Sequence, residues 1–119
     1  MDFKGVLNEL VSSVDGAFGA GLVGLDGLVI DQASNKGDFD INVAGAEYAT
    51  IIKNARKASE SFGAGKTNEI LISTEKATMI MMMVGSDYFC ALAIGLDGNL
   101  GRGRLELKKI IPKMEKEFN

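Results

Sequence analysis

Thr67–Gly95 reads TNEILISTEKATMIMMMVGSDYFCALAIG. Three short apolar runs are separated by Glu75-Lys76 and by Gly85-Ser86-Asp87. Runs of this kind, bounded by turn-forming residues, predict a three-stranded antiparallel meander. The middle run, Thr78–Val84, is apolar on both alternating faces: Met79, Met81 and Met83 on one, Ile80, Met82 and Val84 on the other. A strand apolar on both faces needs a cover on both. The first run, 68–75, sets Ile70 and Ile72 against Glu69, Leu71, Ser73 and Glu75, as a less buried edge strand does. The third places small Ala91 and Ala93 on one face and Cys90, Leu92 and Ile94 on the other. The rest of the chain has to cover or extend this sheet.

At 119 residues the chain fits a single domain, 1–119, since domains typically take about 100–200 residues. A chain of this size holds a hydrophobic core without covalent staples. Thirteen cationic side chains against 16 carboxylates leave a net charge of −3, with no basic block. Nucleic acid is therefore not an expected partner, because phosphate binding needs clustered cations. No apolar run approaches the ~18 residues of a membrane span. The opening Met1-Asp2-Phe3 begins an amphipathic pattern, not a signal peptide. One cysteine excludes an internal disulfide and suits a reducing, cytoplasmic setting. Histidine, the commonest general base and metal ligand, is absent.

Before the meander, Phe3, Val6, Leu7, Leu10, Val11 and Val14 recur at helical spacing, predicting an amphipathic helix that ends at Gly16. Two strands, 17–25 and 28–33, follow around Asp26-Gly27, a strong hairpin signal. Gly19 and Gly21 share one face of the first strand, as Ala91 and Ala93 do later. Two neighbouring strands are thus expected to share a small-residue patch under a close helix. A polar loop, 33–42, leads to a second helix, with Asp40 or Asn42 as its cap. On that helix Ala44, Tyr48, Ile51, Ile52, Ala55, Ala58, Ser59 and Phe62 form one face. Lys53, Arg56, Lys57 and Glu60 lie opposite, and Gly63 stops it. After the meander, a second Gly-Leu-Asp-Gly at 95–98 repeats the turn chemistry of 24–27. Residues 97–103 read as a glycine-rich connector. Leu107, Ile110, Ile111, Met114 and Phe118 face one side of a last helix, with a kink or late start expected from Pro112. The order is helix, hairpin, helix, meander, helix. The fold class is α+β, a five-stranded antiparallel sheet between helices in a three-layer α/β/α sandwich.

The motifs that look chemical have plainer readings. Gly19-Ala-Gly21-Leu-Val-Gly24 matches a dinucleotide pattern, but that motif needs a strand before it and a helix after it, and here the order is reversed. Gly63-Ala-Gly65-Lys66-Thr67 resembles the end of a P-loop, yet Glu60 stands where the first glycine belongs. A helix C-terminus also repels phosphate. Gly101-Arg102-Gly103-Arg104 is a solvated connector or, less simply, an anion site ahead of a helix. Cys90 reads as a buried structural thiol. Asp2, Glu9, Asp15, Asp31, Asp38 and Asp40 are scattered and form no paired-carboxylate or metal-ligand spacing. No catalytic residue, cofactor or metal is expected.

The element order, with GLVGLDGLVI at 21–30, the alanine-rich middle helix and Ile110-Ile111-Pro112 in the last helix, resembles the roadblock/dynein-light-chain family. The resemblance spans nearly the whole chain and is nearest the bacterial and archaeal branch of MglB-type small-GTPase regulators. It implies a sheet order of 2-1-5-4-3, the middle helix on one face and the terminal helices on the other. It further implies a homodimer formed through the middle helix and third strand. The dimer interface would then include Tyr48, Ile52, Ala55, Ser59, Asn68, Ile70 and Ile72. Paired middle helices would present Glu47, Thr50, Lys53, Asn54, Arg56 and Lys57 to a Ras-like small GTPase. The implied function is that of a homodimeric, non-catalytic regulator or adaptor that binds such a GTPase and stimulates its hydrolysis or scaffolds it. A purely structural roadblock scaffold subunit is the alternative. A nucleotide- or small-ligand-binding enzyme, resting on the two glycine motifs, is a remote one.

Overall fold

The structure, a computed structural model, describes residues 1–37 and 39–118. Asp38, one of the scattered carboxylates, lies outside them. Asp2 caps the first helix, α1 (Phe3–Ser12), its carboxylate accepting from the Gly5 amide at 3.0 Å. The helix stops at Ser12, ahead of the expected Gly16, and Gly16 turns the chain at φ +84°. Strands β1 (Ala17–Gly24) and β2 (Val29–Ser34) form the hairpin. Its turn rests on Gly27 at φ +91° and on the Asp26 carboxylate, which accepts from the Leu28 amide. The same turn bond recurs in the second Gly-Leu-Asp-Gly: Gly27 N–H donates to Gly24 O and Gly98 N–H to Gly95 O, each at 2.9 Å.

The meander is β3 (Glu69–Ser73), β4 (Ala77–Val84) and β5 (Tyr88–Gly95). The sheet is antiparallel in the order β2-β1-β5-β4-β3. Helix α2 (Gly45–Ser61) covers one face; α1 and α3 (Leu100–Glu115) cover the other. The alternation in β4 sorts as expected. Ile80, Met82 and Val84 join the core under α1 and α3, with Leu7, Leu22, Leu92, Leu107 and Met114. Met79, Met81 and Met83 lie on the α2 side with Val23, Ile52 and Phe89. Each fully buried Leu, Ile or Phe contributes about 1.5–3 kcal/mol of apolar burial.

Four local expectations are corrected. The small-residue patch exists, with Gly19 beside Ala93 and Gly21 beside Ala91. Its cover is not a close helix but two side chains from the segment before α2. A Cβ on Gly19 would stand 2.5 Å from the Phe39 ring, and one on Gly21 would stand 2.9 Å from Ile41 Cγ2. Asp40 caps a single 3-10 turn (Ile41–Val43), accepting from the Asn42 amide, while α2 starts at Gly45 behind Ala44, which offers no side-chain cap. The connector 97–103 is half helix. Helix α3 begins at Leu100, capped by the Asn99 side chain at 2.9 Å from the Arg102 amide. Position 103 within α3 is a glycine because the helix lies too close to the sheet for a side chain there, a Cβ falling 2.5 Å from Ile94 Cδ1. The late start is thus excluded, and α3 runs through Pro112. Phe118 leaves α3 for a final 3-10 turn (Lys116–Phe118), where its ring stacks on Tyr88 and Phe3.

Candidate protein-interaction surface

Helix α2 is amphipathic over a wider arc than one sheet face can cover. It buries Gly45, Ala49 and Ile52. Residues three and four apart share a helix face, so these three lie in a row beneath it. Ile51 at 41 % and Phe62 at 77 % stay exposed beside half-buried Ala55 and exposed Ala58. The eight-residue apolar stripe therefore splits: one edge packs on the sheet, and the other forms an apolar flank open to solvent.

The outer face carries Glu47, Thr50, Lys53, Asn54 and Lys57, all exposed, with Arg56 half-buried at its border. Two of these side chains are engaged within the chain. The Thr50 hydroxyl donates to Ala46 O, and the Arg56 guanidinium donates to Ser86 O, each at 3.0 Å. The second bond ties α2 to the β4–β5 turn. At the far end Gly63, φ +77°, closes the helix: Ala64 N–H donates to Ser59 O and Gly63 N–H to Glu60 O. The P-loop-like stretch 63–67 is thus a helix exit.

Strand β3 is an edge, with no in-chain neighbour beyond β4 among the described residues. Asn68 O accepts from Met83 N–H at 3.0 Å, and Thr74 N–H donates to Ala77 O at 2.8 Å. Even-numbered residues therefore turn their backbone groups toward β4. By alternation Glu69, Leu71 and Ser73 turn theirs outward, unpaired in the single chain. Ile70 and Ile72 are half-buried on the α2 side.

The expected dimer residues thus lie in three settings. Ala55, Ser59, Ile70 and Ile72 are half-buried, and Asn68 is exposed at the strand's start. Tyr48 lines a small cleft of about 90 Å³ with Phe39, Met79 and Ala93. Ile52, 2 % exposed, belongs to the chain's own core.

Residues 4–94 match the Roadblock/LC7 domain profile. The chain belongs to the Roadblock/LC7 family. Among solved structures it is similar to MglC from Myxococcus xanthus, at 34 % identity over 98 % of this chain and 99 % of that one, with a TM-score of 0.69. Myxococcus xanthus MglB shares 20 % identity over 99 % and 95 % of the two chains, with a TM-score of 0.89. A Roadblock/LC7 domain from Streptomyces avermitilis shares 18 % over 99 % and 98 %, also at 0.89. Comparison with curated proteins gave no match.

Two groups of this Roadblock/LC7 domain have shifted proton affinities. Burial pushes the Cys90 thiol up to about 12, so it stays a protonated, apolar core group. The Gln32 side chain, then the Asn42 amide, hold the exposed Asp40 carboxyl below its ordinary value. Among the described residues no cluster of three or more carboxylate or thiol groups is arranged to hold a metal. No described helix is long and apolar enough to cross a membrane. Sequence reading missed that Ile51 and Phe62 are exposed. The signal was available in the width of the α2 stripe, which exceeds what one packing contact uses.

Proposed function

We propose that the protein is a homodimeric, non-catalytic regulator or adaptor that binds a Ras-like small GTPase. Paired α2 helices form the platform, through Glu47, Thr50, Lys53, Asn54, Arg56 and Lys57. The observation that carries the reading is the uncovered outer arc of α2 beside the unpaired edge of β3, in a chain of the Roadblock/LC7 family. A twofold interface across that edge continues the sheet and presents the platform twice. Its similarity to MglB and MglC supports the same reading.

GTPase acceleration arises from a supplied arginine or from ordering groups the GTPase already owns. Arg56 is bonded to Ser86 O, and that bond would have to break for the side chain to reach a partner. This favours the ordering or adaptor mode over a donated arginine. The test is binding to the source organism's own Ras-like GTPases, loaded with a GTP analogue or with GDP. The wild-type chain binds the GTP form preferentially, two copies per GTPase by light scattering. The triple variant Lys53→Glu/Arg56→Glu/Lys57→Glu, still dimeric, binds at least ~tenfold more weakly, the size expected of several interfacial charge reversals. Unchanged binding by that variant overturns the platform. A stable dimer that binds no GTPase in either state leaves the structural scaffold.

A further inference from the structure

A groove of about 830 Å³ opens between the start of β3 and the C-terminal half of α3. It exists because α3 packs chiefly on β4 and β5 and leaves the near side of β3 bare, with Leu71 44 % exposed. Its apolar surface comes from Met82, Met83, Ile111 and Pro112. Cations gather around that surface, although the chain as a whole carries −3. Arg104 is paired with Glu69, and Arg56 holds Ser86 O at the rim. Lys66 and Lys108 are exposed and have no carboxylate partner among the described residues. The other carboxylate in the groove, Glu115, accepts from the Gly85 amide at 3.4 Å. A second observation is independent of charge. Thr67 Oγ1, also in the lining, is buried away from solvent without a hydrogen-bond partner. Such a group is normally satisfied, and a segment that shifted the start of β3 on docking would reach it.

We propose that this groove docks an extended acidic segment of a partner protein. Carboxylates of the segment pair with Lys66 and Lys108, and an apolar side chain rests on Ile111 and Pro112. The shape favours a chain segment over a small molecule. The groove is half open to solvent, whereas small-ligand sites bury about 70–90 % of their occupant. Arg104 to Glu115 spans roughly 16 Å of helix at 1.5 Å per residue. That is the length of about five extended residues. The groove shares Arg56 with the α2 platform and Asn68 with the expected dimer edge, so its test rests on Lys66 and Lys108, which belong to neither.

The probe is a fluorescein-labelled octapeptide alternating Glu or Asp with Leu, read by anisotropy and by amide chemical shifts of the full-length chain. The acidic peptide binds, weakens with added salt, and shifts the amides of 66–69 and 104–115. Its Gln/Asn counterpart binds about tenfold more weakly or not at all, and the exposed double variant Lys66→Glu/Lys108→Glu loses binding to the same degree. Lys53→Glu/Lys57→Glu, on α2, retains it. Equal binding of the acidic and neutral peptides, or wild-type affinity in Lys66→Glu/Lys108→Glu with an unchanged melting curve, overturns the proposal. Complete displacement of the peptide by inorganic phosphate also overturns it, making the groove a small-anion site.

Discussion

Gly16 and Gly63 both hold positive φ, at +84° and +77°, but their surroundings differ. A Cβ on Gly16 would stand 2.3 Å from Gly98 Cα, because the turn after α1 lies back to back with the turn before α3. Gly95 N–H donates to Gly16 O and Asn99 N–H to Asp15 O, each at 2.9 Å, so neither backbone can move away freely. A Cβ on Gly63 meets nothing within 4 Å. Gly63→Ala is expected to cost about 1 kcal/mol, the conformational strain alone. Gly16→Ala adds a backbone collision and is expected to cost about 3 kcal/mol or more. Urea midpoints of the two variants check the ordering. Cys90 makes a pH prediction. Its folded pKa is raised, so the native state keeps a proton that the unfolded chain releases, and stability must fall as pH climbs from about 9 toward about 12. Below that window the thiol contributes no slope. Other groups titrate there too, so the check is the difference between wild type and Cys90→Ala, whose stability declines less steeply over the same range. The buried thiol was legible from its place in an apolar run. The Gly16–Gly98 contact was not, because those residues are distant in sequence and meet only when two turns stack.

At the scale of elements, β3 offers a test of self-association. The outward backbone groups belong to Glu69, Leu71 and Ser73, while Ile70 and Ile72 bond toward β4. Leu71→Pro removes an outward N–H and leaves the in-chain ladder complete, a position at which an edge strand tolerates proline. Against the homodimer proposed for the wild-type chain, the expected result is a folded monomer, read by sedimentation or light scattering. An unaltered dimer would mean that β3 does not pair with its copy. The strands of the meander and their faces were legible because the period-two alternation in 78–84 records two separate environments. The start of α3 was not. Gly101 and Gly103 carry poor helix propensity, and only the sheet beneath Gly103 shows why a side chain is missing there. Pro112 pointed the same wrong way. A proline 12 residues past the start of α3 is exposed, and the packed helix continues through it.

Over the whole molecule the two chain ends are clasped together. Phe3 and Phe118 stack at 5.7 Å, Tyr88 and Phe118 at 3.9 Å, and the terminal ammonium pairs with Glu117. Phe118→Ala removes the shared ring and is expected to cost about 1–3 kcal/mol, seen as a lowered melting temperature. If the clasp contributes nothing to folding, the melting temperature stays put. The ion pair at this exposed clasp adds little by comparison. The fold class, the element order and the two-sided burial of β4 were determined by the sequence alone, because apolar periodicity is a local record of how many faces each element buries. The sheet order came from family resemblance, since antiparallel strands of similar composition carry no local label for their neighbours. Tertiary structure alone decided which half of the α2 stripe is covered, what fills the space above Gly19 and Gly21, and where cations gather beside α3. Each of these depends on side chains far apart in sequence arriving at one place, and no local pattern encodes the distance between them.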